Sequence, residues 1–270
     1  MSDSFNNPQY GQPYNPQQNG YQRGDGYQQQ GPGSPNGYVN GQGRTISEKA
    51  ARTSVSKAYG EMTIGLLITA VTAWLCAASG VVYRFIETTG GIGWFIMCIV
   101  QVAIAMFLSV RVMRLKPSTA RLLFYAYAVL MGFTLSTVFL EFNFGSIALA
   151  LLLTAGFFLC LTMIGLTTKK DMLKAGPILM VGLIVLIVAE LILFFVHASG
   201  ATMLLSGISL ILFAGMTVYD AQWTRRLFAT YATSDEMVKR MSILAALNLY
   251  LDFVNMFIDI LQFVGVSRNN

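Results

Sequence analysis

One histidine, three cysteines and a charged fraction of 11% in 270 residues exclude several kinds of protein at the outset. A lone His197 leaves no basis for a histidine-built metal centre. Cys76, Cys98 and Cys160 share no CxxC spacing and each falls in a different apolar run. They indicate neither a disulfide framework nor a zinc site and read as small buried hydrophobes. Proline is scarce beyond residue 43, where only Pro117 and Pro177 occur, both in or beside polar breaks. The apolar runs are therefore free to be uninterrupted helices.

What is abundant is apolar surface. Hydrophobic residues make up 54% of the chain and the mean hydropathy is +0.56, a balance suited to lipid rather than water. The runs are about 20 residues long, the length a helix needs to cross a hydrocarbon core. They predict spans near 59–81, 92–112, 120–140, 145–166, 177–197, 202–222 and 241–265. The expectation is an all-α, polytopic bundle of seven transmembrane helices over 58–266. Six spans with a re-entrant last segment is the rival, because the final stretch is polar for a span. Residues 44–57 form a basic juxtamembrane segment, and residues 1–43, rich in Gln, Asn, Gly, Pro and Tyr, read as a disordered tail. The tail has no secretory-signal pattern, which leaves targeting to the first span.

The formal charge of +5 does not indicate nucleic acid, because the Lys and Arg residues sit between the apolar runs. Fifteen of the 18 fall in alternate breaks that share one side, whereas Arg84 and Arg268 fall on the other. The positive-inside rule then places the amino terminus in the cytoplasm and, with seven spans, the carboxyl terminus outside.

The last run, MSILAALNLYLDFVNMFIDILQFVG, carries Asn248, Asp252, Asn255, Asp259 and Gln262 at steps of 4, 3, 4 and 3. Such steps line one helical face. A helix with a full polar stripe cannot turn that face to lipid, so it is expected at the centre of the bundle. The preceding span brings Ser206, Ser209, Thr217 and Asp220 with the small residues Gly207 and Gly215, a composition for close packing. Asp220 and Asp252 are expected to meet in the inner half of the membrane. A carboxylate there costs about 2.5–3.5 kcal/mol on insertion scales, and two in contact would share a proton and titrate as a unit. Such a pair suits a pH-sensitive latch or a transient contact for a hard cation such as calcium. A buried network that only fixes helix register is the plainer alternative. Gln101 and Glu190 are further polar residues within spans and candidates to line the same pathway, while Thr134, Thr137 and Glu141 align on the third span.

The segments LNLYLDFVNMFIDILQFVG, VYDAQ around Asp220 and GFTLSTVFLEF on the third span resemble the transmembrane Bax-inhibitor-motif family over about Ala58 to Gly265. The resemblance implies a seven-helix fold with the last helix central and a pH-sensitive calcium leak governed by an aspartate pair, which maps onto Asp220 and Asp252. It also implies an arginine partner for the pair near the inner end of the second helix, Arg111 or Arg114. Gln101 stands where some relatives carry a carboxylate, and Thr137 follows the TLS element where proline is common.

The leading expectation is a cation leak channel with no enzymatic activity and no cofactor, calcium being the ion carried. Its partners would be membrane lipid, calcium or other cations and other membrane proteins, not nucleic acid, and its place a bacterial inner membrane. A non-conducting regulator of stress or protein quality control, and a cation/proton exchanger, are the alternatives. Intramembrane aspartyl proteolysis fits less well, because Asp252 follows Leu249, Tyr250 and Leu251 rather than a Gly-x-Gly that would open the backbone to a substrate.

Overall fold

A computed structural model of the chain describes residues 41–196, 199–231 and 234–268. The tail up to residue 40 and His197 lie outside the described residues. The elements, in order, are α1 (Gly41–Ala78), α2 (Val81–Arg111), α3 (Pro117–Leu135), the single turn α4 (Val138–Glu141), α5 (Phe144–Thr167), α6 (Gly176–Val196), α7 (Ser199–Tyr231) and α8 (Asp235–Arg268). There is no strand among the described residues.

Seven of the helical segments are long and apolar enough to cross a membrane: Ser54–Ala78, Val81–Arg114, Pro117–Glu141, Phe144–Thr167, Met172–Leu193, Ala201–Thr230 and Asp235–Gly265. This all-α, seven-span architecture is the expected one, and the last segment is a full span rather than a re-entrant loop. The boundaries differ where polar residues stay helical. The basic stretch 44–57 continues into the first span as one helix from Gly41. The break expected between the first two spans is instead the start of α2, interrupted only at Gly90, whose φ of 61° and ψ of −159° bend the chain in a region open mainly to glycine. α7 and α8 also run several residues past their apolar cores. Helix ends outside the hydrocarbon are satisfied by water, so hydropathy stops marking them there.

Local chemistry starts and stops these helices. Gly80, with φ 69°, turns the chain between α1 and α2. Pro117 occupies the first turn of α3, where its missing N–H costs nothing. The Asn143 side chain caps α5 by accepting from the Ser146 amide at 2.9 Å.

α8 is the central element: 67% of its apolar window is buried within the protein, against 6% for the α6 span. It packs on α7, α1, α5 and α3. Tyr250 at its middle is fully buried, stacks edge-on against Phe124 and Tyr127 of α3 and meets the Thr69 hydroxyl of α1 at 2.6 Å. Two glycines allow the closest approaches. A side chain at Gly132 of α3 would fall 2.6 Å from the Thr69 carbonyl of α1, and one at Gly165 of α5 would fall 2.6 Å from the Val218 carbonyl of α7. The polar breaks are tied down as well, since Gln222 of α7 donates to the Lys170 carbonyl at 2.8 Å and accepts from the Met172 amide at 2.7 Å.

Candidate functional site

The polar stripe of α8 divides into two environments. In its amino-terminal half, Asp252 and Asp220 are 2% and 4% exposed and their carboxyl groups interact directly. Asn248, one turn before Asp252 on α8, reaches Asp220, and Thr217, one turn before Asp220 on α7, reaches Asp252. The i, i+3 and i, i+4 steps on two packed helices therefore build a four-residue polar core. The Thr217 hydroxyl is held by the Phe213 carbonyl at 2.8 Å and touches the Met256 sulfur at 3.4 Å. The two aspartates singled out in the sequence do meet.

Neither arginine proposed as their partner does. Arg111 and Arg114 are exposed at the end of α2 and in the turn after it, and no Lys or Arg is among the described groups acting on the pair. The arginine that does hold a membrane-embedded carboxylate is Arg121 of α3. Its Nε donates to Glu61 of α1 at 2.8 Å, a second guanidinium nitrogen bonds the same oxygen, and the Tyr125 hydroxyl donates to the other carboxylate oxygen at 2.7 Å. This ion pair ties α1 to α3. A second arginine, Arg240 of α8, donates to the Met113 carbonyl at 3.0 Å and to Glu236 at 2.6 Å, fastening α8 to the turn in which Arg114 lies.

In the carboxyl-terminal half the stripe borders open space. Asn255, Asp259 and Gln262 line a cavity of about 350 Å³ with Glu190 of α6 and Ser206 and Ser209 of α7. Ser209 donates to Asp259 at 2.6 Å, and the Ser206 hydroxyl bonds the Gln262 side chain. A second cavity of about 430 Å³ shares Thr202, Ile258 and Gln262 and is otherwise bounded by residues that include Trp94, Thr134, Thr137 and Glu141. The partly exposed residues of α8 between the two halves, Leu244, Asn248, Leu251, Asn255, Ile258 and Gln262, recur at steps of four and three. They form one continuous face.

Other expected site residues fall elsewhere. Gln101 is buried and bonds α3, donating to the Leu130 carbonyl at 2.9 Å and to the Thr134 hydroxyl at 2.6 Å, so it joins α2 to α3 and does not line the stripe. Cys76 and Cys98 are half-buried, while Cys160 is exposed on the outer face of α5, contrary to the expectation of a buried thiol. No group of three His, Cys, Asp or Glu side chains gathers among the described residues. The oxygens that could meet a hard cation are those of the two carboxylates of Asp220 and Asp252, the Asn248 amide and the Thr217 hydroxyl, at the low end of the six to eight that resident calcium takes even with both carboxylates bidentate.

Two residues with buried hydroxyls near this region escaped the sequence reading, Tyr59 and Thr162. The Tyr59 side chain of α1 faces Thr162 of α5 and acts electrostatically on both Asp252 and Asp220. Thr162 had a visible signal: Ser146, Ala150, Thr154, Phe158 and Thr162 are all buried and spaced by four, the inward face of an otherwise uniformly apolar helix. Tyr59 lies at the edge of its hydrophobic run, where a tyrosine also suits a membrane interface, so position alone did not mark it.

With this geometry in view, comparison with known proteins is informative. Residues 51–269 match the family described as "Inhibitor of apoptosis-promoting Bax1". The chain belongs to this family. Its relatives include the inner membrane protein YbhL of Escherichia coli (strain K12), 34% identical over 218 residues that cover 80% of this chain and 93% of YbhL. An uncharacterized protein of Borreliella burgdorferi is 34% identical over 216 residues, 80% of this chain and 93% of that protein. The uncharacterized protein YrjE of Lactococcus lactis is 29% identical over 220 residues, 80% and 91% respectively. The family match begins at residue 51, within α1, and takes in every element of the aspartate site. This Bax-inhibitor-family chain is an integral membrane protein.

Proposed function

We propose that this protein is a pH-sensitive cation leak, with calcium as the ion carried and no enzymatic turnover, whose inner gate is the Asp220–Asp252 pair. The observation that carries the reading is the division of the α8 stripe: an open polar cavity reaches Asp259 and Asn255, whereas the aspartate pair beyond them is enclosed. An ionised carboxylate only accepts hydrogen bonds, so two carboxyls in contact need a proton between them. In that state the pair holds α7 and α8 together. Loss of the proton leaves two like charges in a medium of low dielectric, which drives them apart and exposes oxygens suited to a hard cation along the stripe. Flux should therefore rise as pH rises.

The orientation with a cytoplasmic amino terminus, supported by the clustering of Lys and Arg in alternate breaks, puts the aspartate pair in the cytoplasmic half and the cavities on the outer side. The likeness to an inner membrane protein of Escherichia coli supports a bacterial inner membrane as its location. A cation/proton exchanger has one observation in its favour, the same proton-holding pair. The test is calcium flux into proteoliposomes across a pH series, without and with an opposing proton gradient. A leak gives pH-dependent flux that is indifferent to the gradient, an exchanger gives flux that requires it, and a non-conducting regulator gives none.

A further inference from the structure

We propose that the cavity of about 430 Å³ beside the α8 stripe is a binding site for an organic ammonium ion, a charged amine carried on an apolar body. Five elements enclose it, since Trp94 of α2, Thr134 of α3, Glu141 of α4, Met203 of α7 and Gln262 of α8 all line it. Its size falls in the range of small-molecule sites, about 300–1,000 Å³. Among the described residues, Glu141 is the only charged one in the lining, and no Lys or Arg pairs with it. A lone carboxylate repels an anion and leaves a cation to be supplied from outside the protein.

The hydrogen bonds around the cavity leave acceptors facing an occupant. Thr137 spends its hydroxyl proton on the Thr134 carbonyl at 2.9 Å, and the Thr134 proton goes to the Leu130 carbonyl at 3.2 Å. The Thr137 oxygen in the lining can then only accept. With the Glu141 carboxylate it suits the N–H groups of an ammonium ion, whose hydrogen bonds are charge-assisted. Aromatic walls add to this attraction. Trp94 and Phe142 both line the cavity, and an aromatic face draws a cation through its quadrupole, tryptophan most strongly. Trp94 is backed by Phe133 at a centroid distance of 6.5 Å. Phe142 keeps its place because Gly265 of α8 has no side chain, and a Cβ there would collide with the ring.

The neighbouring cavity is built for a different guest. Asn255, Asp259, Ser206, Ser209 and Glu190 make its lining rich in oxygen, as a hard cation requires. In the larger cavity the remaining walls include Leu135, Val138, Ile258 and Leu261. Such walls take water from a calcium ion without replacing it, whereas they stabilise the methylene groups of an amine. The two cavities share Ile258 and Gln262, and Ser206 bonds Gln262. An amine in the first therefore stands against the side chain that bounds the second.

The site is read without flux, in full-length protein in dodecyl maltoside, a medium that holds no ammonium group. Trp74→Phe and Trp223→Phe leave Trp94 as the only tryptophan. Phenethylamine, protonated at neutral pH, should change the Trp94 emission saturably. Phenethyl alcohol, which has the same body and no charge, should bind at least about tenfold more weakly. Glu141→Gln, at an exposed position, should leave the Tm unchanged, weaken the amine about tenfold and leave the alcohol as it was. Trp94→Leu, followed by calorimetry, should weaken the amine roughly threefold to fivefold, and Trp94→Phe less. Equal binding of amine and alcohol, or an amine affinity unchanged in Glu141→Gln, would overturn the proposal and leave an apolar crevice that takes up an adventitious additive only. Displacement of the amine by an equal concentration of calcium chloride would also overturn it, in favour of an inorganic cation site. Competition by added phosphatidylethanolamine would support the site with a lipid headgroup as the source of the ammonium, and amine binding indifferent to that lipid would support it with a soluble amine. Absence of calcium flux alongside the expected binding would reject the leak and leave the amine site standing.

Discussion

The two halves of α8 carry the same kind of side chain at the same spacing and treat it in opposite ways. Around Asp252 the neighbours include Asp220 and Thr217, packed so closely that both carboxyl groups are almost wholly buried. Around Asp259 the neighbours include two serines and Glu190 beside about 350 Å³ of space. The difference comes from what faces the stripe. Gly165 lets α5 approach α7 next to Asp220, whereas a cavity lined by Glu190 of α6 and by Ser206 and Ser209 of α7 lies beside Asp259. A polar stripe alone thus does not define a pathway. The packing of the other helices decides which part of it borders open space and which part is enclosed.

Removing the gate's charge should have the largest effect. Asp220→Asn or Asp252→Asn is expected to abolish the change in calcium flux between about pH 6 and about pH 8, which should be roughly tenfold in the native protein, as measured in proteoliposomes. Altering the wet half should change amount and not pH response: Asp259→Asn is expected to lower flux roughly threefold to tenfold at every pH while leaving the midpoint in place. Forcing the closed half apart is a matter of stability. Gly165→Val pushes against the Val218 carbonyl and should cost about 1–3 kcal/mol, seen as a lower Tm in detergent. Gln101→Leu, which removes the bonds to Leu130 and Thr134 and leaves the aspartate pair untouched, should cost about 1 kcal/mol with no change in pH profile. The smallest effect is expected for Arg111→Gln and Arg114→Gln, whose flux profiles should overlay the native one. A shifted midpoint in either would restore an arginine to the gate.

The fold was legible because lipid demands it: uninterrupted apolar runs and the Lys and Arg residues between them follow from the cost of burying charge and unpaired backbone in hydrocarbon. The centrality of α8 was legible for the same reason, through Asn248, Asp252, Asn255, Asp259 and Gln262 on one face. What hydropathy did not mark was helix that continues into water, as at the start of α2 and the ends of α7 and α8, where polar residues are no obstacle to helical structure. The pairing of Asp220 with Asp252 was inferred correctly because two helices joined by a short turn run antiparallel and bring residues at similar depth together. The arginine partner was not, since its assignment rested on resemblance. In this chain Arg121 is committed to Glu61, while Arg111 and Arg114 point away from the core. Tyr59 and Thr162 come from helices distant in sequence, and only packing brings them together and Tyr59 within electrostatic reach of Asp252.

The most direct test of a gate at Asp252 with an open path beyond it is a profile of thiol accessibility along α8. In a background lacking Cys76, Cys98 and Cys160, the single substitutions Gln262→Cys, Asn255→Cys and Asn248→Cys are probed with a membrane-impermeant thiol reagent. The reagent is applied from the side on which the carboxyl terminus lies. The account predicts reaction at positions 262 and 255 at all pH values, and at position 248 only as pH rises through the flux midpoint. Equal reaction at 248 throughout, or none at 255, would contradict it.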